Sequence, residues 1–99
     1  MSLLLRKLKH LLIVRQVEGD SMVPSLRAGQ IVVASSLKVP KLGDIVVAQL
    51  SSGREVIKQL SVSADVGQKF MLLSVNPAGA SYGSQQVNDL YGKVIWPRI

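Results

Sequence analysis

Two residues in this chain have the types and surroundings that acyl-transfer chemistry needs, Ser21 and Lys58. Ser21 stands in Val17-Glu18-Gly19-Asp20-Ser21-Met22-Val23-Pro24-Ser25-Leu26, and Lys58 in Arg54-Glu55-Val56-Ile57-Lys58-Gln59-Leu60. A serine hydroxyl is a weak nucleophile near neutral pH until a neighbouring base takes its proton. A lysine is such a base only where its pKa is lowered. Strand alternation puts Arg54, Val56, Lys58, Leu60 and Val62 on one face, so the Lys58 amine has apolar neighbours at i±2. Burial there disfavours the ammonium form. The alternative is an edge-strand lysine whose stem covers apolar surface while its head reaches water. Gly19 permits an unusual backbone turn before Ser21, and Pro24 suits the first turn of a short helix, where N–H groups can face a developing oxyanion. A capping or ordinary turn serine is the competing reading. Met22 either lines a pocket beside Ser21 or plugs the core.

The elements that must position these residues are short apolar runs separated by turn signals, the pattern of an all-β domain. Candidate strands are Ile31–Ala34, Asp44–Leu50, Arg54–Val62, Lys69–Val75 and Tyr91–Trp96, and Ser51-Ser52-Gly53 is short enough to close a hairpin. The segment from Asn76 to Ser84 is a long loop with several backbone breakers. The expected architecture is a small coiled β-sheet or partly open barrel, with one helix at the N-terminus. Two parts follow: a basic amphipathic segment over 1–15 and a β-domain over 16–99.

Length and composition narrow the function. Ninety-nine residues make one domain, and 47% hydrophobic content with 18% charged is globular. Cysteine is absent, which excludes disulfides, thiol catalysis and cysteine-based zinc sites. The one histidine, His10, lies in the basic segment, far in sequence from Ser21, which argues against a Ser-His-Asp triad. No metal cluster or phosphate-binding glycine loop is present, so no cofactor is expected. The net charge of +6 is concentrated: Arg6, Lys7, Lys9 and Arg15 carry four positive charges with no acidic residue among the first fifteen. The remainder has eight basic and six acidic residues, too balanced for a nucleic-acid surface.

Within residues 1–15, Leu4, Leu8, Leu11 and Leu12 follow helical spacing, with Arg6, Lys7 and Lys9 mostly on other faces. Such a helix either lies on an anionic membrane surface or packs on its own domain or a second copy. Its longest uncharged apolar run, residues 11–14, falls far short of the ~20 residues that span a bilayer. No small-residue cleavage site follows it. The expected location is cytoplasmic or peripheral to a membrane.

Together these residues resemble the Ser–Lys peptidase superfamily, which includes type I signal peptidases and LexA-like self-cleaving repressors. The resemblance runs from about Val17 to Trp96. Gly19-Asp20-Ser21-Met22-Val23-Pro24-Ser25-Leu26 is similar to the nucleophile motif, with Ser25 where threonine is frequent. Leu26-Arg27-Ala28-Gly29-Gln30-Ile31-Val32-Val33 resembles the strand that follows, and Gly43-Asp44-Ile45-Val46-Val47 the next motif. Val56-Ile57-Lys58-Gln59-Leu60 resembles the general-base strand, with Gln59 where a basic residue is common. Gly92-Lys93-Val94-Ile95-Trp96 resembles the closing strand. The resemblance implies Ser21 as nucleophile, Lys58 as general base and the Ser21 N–H as an oxyanion donor. Gly19 stands where signal peptidases often carry a second hydroxyl, so only its backbone can contribute. It also implies a protein or peptide substrate and no cofactor.

Two branches compete. In size the chain resembles small signal-peptidase-like members such as the nickel superoxide dismutase maturation proteases. Ser81-Tyr82-Gly83-Ser84 is the nearest match to their late serine-rich loop, which makes Ser81 a candidate partner of Lys58. Leu72-Leu73-Ser74-Val75-Asn76-Pro77, followed by Tyr82, instead resembles the repressor-like branch, yet no helix-turn-helix and no Ala-Gly or Cys-Gly pair precedes Ser21. The leading expectation is an endopeptidase that removes N-terminal leader segments. Self-processing and a catalytically silent binding module on the same fold are the alternatives.

Overall fold

The computed structural model describes residues 12–98. They form one antiparallel sheet of seven strands: β1 (Leu12–Gln16), β2 (Ile31–Ser35), β3 (Ile45–Leu50), β4 (Glu55–Ser61), β5 (Met71–Leu73), β6 (Tyr82–Gly83) and β7 (Val87–Trp96). The spatial order is β1-β2-β7-β3-β4-β5-β6, so the sheet stays open, with β1 and β6 at its edges. The all-β expectation holds. Among the described residues there is no α-helix, only a 3-10 turn over Ser84–Gln86.

Strand alternation gives each face of the sheet its own apolar cluster. One contains Val17, Met22, Leu26, Val32, Ala34, Ile45, Val47 and Val94. The other contains Val46, Ala48, Leu50, Val56, Leu60 and Leu72, with Tyr82, Val87 and Leu90 packed against it. Strand β3 supplies both clusters, which is why Ile45, Val46, Val47 and Ala48 are all buried. The last strand pairs with β2 on one side and β3 on the other, through register shifts between Val33 and Ala34 and between Val47 and Ala48. Such irregularities bend and twist a strand, which lets the sheet coil. A Cβ on Gly92 would lie 2.7 Å from the Ser35 carbonyl oxygen, so β7 can cross β2 this closely only at a glycine.

Of the strands expected from sequence, β2, β3 and β4 are found within one residue of their expected ends; β5 is shorter than Lys69–Val75, β7 starts four residues before Tyr91, and β1 and β6 are additional, β6 lying within the expected Asn76–Ser84 loop. Ser51-Ser52-Gly53 closes the β3–β4 hairpin: Gly53 donates its N–H to Leu50, Leu50 donates to Arg54, and Gly53 takes φ +91. The helical reading of the basic segment does not extend to residues 12–15. They belong to β1, whose partners run from Leu12↔Ser35 to Gln16↔Ile31. The division expected after residue 15 thus falls inside a strand. Ile13 and Val14 are β-branched and suit a pleated sheet better than a helix. Residues 1–11, on which the amphipathic helix and its membrane contact mostly rest, lie outside the described residues. No described helix is long and apolar enough to cross a membrane.

Candidate active site

Ser21 sits on an excursion of the chain between β1 and β2. The base of that excursion is pinned where Val17 donates its N–H to Gln30 and Gly29 donates to Val17, both at 2.8 Å. Gly19, at φ +70, turns the backbone with open space where a Cβ would be. Residues 21–25 then make a turn, with Val23 N–H on the Asp20 carbonyl and Leu26 N–H on the Met22 carbonyl. This is a single turn and not the short helix expected around Pro24. Met22 and Leu26, four residues apart, drop into the first apolar cluster and anchor the turn. Met22 is only 1% exposed, so its main role is to plug the core. It also borders a groove of about 370 Å³ lined by Arg15, Val17, Glu18, Arg54, Glu55 and Ile57. An Arg15–Glu55 ion pair lies along this groove.

Lys58 projects from the middle of β4, opposite Val46 on β3 and between Val56 and Leu60 on its own strand. The side chain is 5% exposed, among the least accessible polar residues of the protein. Burial in this apolar setting holds the amine below its ordinary pKa of 10.5, and the positive charge of Arg54 pushes in the same direction. The ring of Tyr82 lies 6.0 Å from Nζ and acts in the opposite sense, since an aromatic face favours the ammonium.

The partner of the amine is Ser74. Lys58 Nζ donates to Ser74 Oγ at 2.7 Å, and Ser74 Oγ donates its own proton to the Ala80 carbonyl at 2.5 Å. A hydroxyl has one proton to give. With that proton committed to Ala80, Ser74 can only accept from Lys58, and the lone pair of a neutral amine stays available for another proton. Sequence motifs point instead to Ser81, which is exposed and makes no such bond. The register explains the difference. Strands β4 and β5 pair as Gln59↔Leu73 and Leu60↔Leu72, so the ladder runs on to place Ser74 across from Lys58.

Ser21 and Ser74 meet around Gly79. A Cβ at Gly79 would lie 2.4 Å from Ser74 Oγ and 2.9 Å from the Ser21 Cβ. The glycine therefore lets the β5–β6 loop close over both serines at once. Among the described residues Ser21 Oγ has no hydrogen bond, to Lys58 or to any other group. A nucleophile–base bond is often open in an unliganded site and closes when substrate arrives. Asn76, which the motifs single out only as part of a run, joins the loop to the turn that carries Ser21: its N–H meets the Ser21 carbonyl at 2.8 Å and its Nδ2 the Asp20 carbonyl at 3.1 Å. No group of three or more histidine, cysteine, aspartate or glutamate side chains that could hold a metal ion occurs among the described residues.

The arrangement places a half-buried serine, a buried amine whose pKa is lowered by that burial and a hydroxyl bonded to it at one end of a coiled sheet. The family model described as Peptidase S24-like matches residues 2–95, nearly the whole chain. No curated protein matches it.

Proposed function

The chain belongs to the Peptidase S24-like family, and from that premise we propose that it is a serine endopeptidase in which Ser21 is the nucleophile and Lys58 the general base. The observation that carries this reading is Lys58 itself, a buried lysine that faces no carboxylate and is held by a hydroxyl with no proton to spare. Burying an ammonium without an anionic partner is costly, and a strand position between Val56 and Leu60 has no structural need of it. A neutral amine at that place has a chemical use.

In the proposed reaction the neutral Lys58 amine takes the Ser21 hydroxyl proton as Oγ attacks a peptide carbonyl carbon. The oxyanion that forms is met by the Ser21 N–H. Lys58, now an ammonium, returns its proton to the leaving amine nitrogen, the C–N bond breaks, and an ester to Ser21 remains. Water then attacks that ester with Lys58 again accepting the proton, which releases the acid and restores the serine. Protein substrates with an exposed leader segment are the proposed class, on the strength of the resemblance to peptidases that remove such segments.

A second reading, a non-catalytic module, draws on the unbonded Ser21 hydroxyl. One experiment separates the two. Intact-mass analysis after an electrophilic serine probe, over about pH 6 to 10, should show one adduct on Ser21 in the wild type. It should show none in Ser21→Ala or Lys58→Ala. No adduct at any pH, or undiminished labelling in Lys58→Ala, rejects the dyad.

A further inference from the structure

Asn76 occupies a position that the proposed dyad chemistry does not use. Its backbone N–H donates to the Ser21 carbonyl and its side-chain Nδ2 to the Asp20 carbonyl. Its own conformation is held from the other side: Oδ1 accepts the Ala78 N–H at 3.0 Å, and its carbonyl accepts the Gly79 N–H at 2.9 Å. One residue thus grips both peptide units that flank Ser21.

A trans peptide unit is planar, with its C=O and N–H pointing in opposite directions. Both units here are trans, since the cis bonds of the protein lie elsewhere. The Asp20 carbonyl and the Ser21 N–H share one unit, and the Ser21 carbonyl and the Met22 N–H share the next. Holding the two carbonyls against Asn76 therefore turns both N–H groups away from the loop. Among the described residues neither the Ser21 nor the Met22 N–H has a hydrogen-bond partner. Met22 is buried, whereas Ser21 is half-exposed, and a fixed donor without a partner on the serine itself is what a developing oxyanion requires.

We infer that Asn76 is a positioning residue that aims the Ser21 N–H at the oxyanion without touching the substrate. This rests on the reading of Ser21 as nucleophile. A residue that merely tied two loops together would change stability and leave the reaction of folded molecules alone. Asn76 instead sets a direction, so its loss acts on the rate at which folded protein is acylated.

Asn76→Ser tests this directly. A serine hydroxyl can still accept the Ala78 N–H, and the backbone bond to Ser21 is kept, but the side chain is too short to reach the Asp20 carbonyl. The rate of Ser21 acylation by the serine probe is measured against pH, with the folded fraction followed by circular dichroism. The expected result is a plateau rate at least about tenfold lower, with the pH midpoint unchanged because Lys58 and Ser74 are untouched. Asn76→Ala serves as a second variant and should show the same plateau loss. A wild-type plateau in either folded variant overturns the inference, as does a loss expressed as a shifted midpoint. Unfolding of both variants overturns it too, because Asn76 would then be a structural residue. An unlabelled wild type removes the nucleophile reading itself, and the inference with it, which separates the two failures.

Discussion

Replacing Gly79 with alanine adds one methyl group between the two serines. The new Cβ would start 2.4 Å from Ser74 Oγ and 2.9 Å from the Ser21 Cβ, where ordinary contact begins at 3.4 Å. Something must therefore move by roughly 1 Å, and a misplacement of that size can slow a positioned reaction about a hundredfold. The Lys58–Ser74 bond, at 2.7 Å, does not survive such a shift if Ser74 moves. If the loop moves instead, Ala80 withdraws its carbonyl and Ser74 regains a proton to donate to the amine. Either way the base is misdirected. Overpacking also costs about 1–3 kcal/mol of stability, so the assay must separate rate from folding. Gly53→Ala is the control: at φ +91 with nothing nearby it is strained by about 1–2 kcal/mol, yet it lies on the β3–β4 turn away from the serines. Second-order acylation of Ser21 should fall about a hundredfold in Gly79→Ala and stay at the wild-type rate in Gly53→Ala. Equal rates in wild type and Gly79→Ala would refute the packing argument.

Other outcomes follow from the surroundings of Lys58. Ser74→Ala removes an acceptor that favours the ammonium, so the pH midpoint of acylation should move down while the plateau also falls; an upward shift would reject the assigned direction of the bond. Arg54→Gln removes a like charge that lowers the Lys58 pKa, so its midpoint should move up. Stability has a sign of its own. Because the folded-state pKa lies below the ordinary 10.5, the unfolded chain binds more protons between those two values, and stability must rise with pH across that window. Urea midpoints compared with Lys58→Met should show this rise only in the wild type, with the methionine variant at least as stable at neutral pH. A parallel pH profile in the two proteins would contradict it.

How much of this was legible in the sequence depended on what fixes register. The β3–β4 hairpin was readable because a three-residue turn with glycine at its end leaves little choice of pairing. The same alternation placed Lys58 on the face of Val56 and Leu60, where the structure has it. The pairing of β4 with β5 was not readable: residues 62–70 form a connection that specifies no register, so Ser74 could not be set opposite Lys58 and the motif-based choice fell on Ser81. The candidate strand over Lys69–Val75 contains Ser74, the residue that the Lys58 amine meets. Strand β1 was hidden by the leucine spacing that precedes it, which extends a helical pattern into Leu12. The first half of β7, with Asn88 and Asp89, has too little apolar alternation to show as a strand and is ordered by pairing with β3. Asn76 could be seen only as one member of a motif, because its partners lie some 55 residues away in sequence.

The place of β7 in the sheet has a consequence for how the two halves of the proposed site are held together. The turn that carries Ser21 hangs between β1 and β2, whereas Lys58 and Ser74 belong to the β3–β6 group, and in the strand order β7 is the link between these two groups. A nascent chain that has reached Gln86 holds both groups of strands but lacks the ladder that joins them. Through the sheet Ser21 and Lys58 are connected by residues 87–96, while the Asn76 bonds to Asp20 and Ser21 connect the same two groups across the β5–β6 loop. The last strand thus locks together the two halves of the proposed site, which without it would be joined by loop contacts alone.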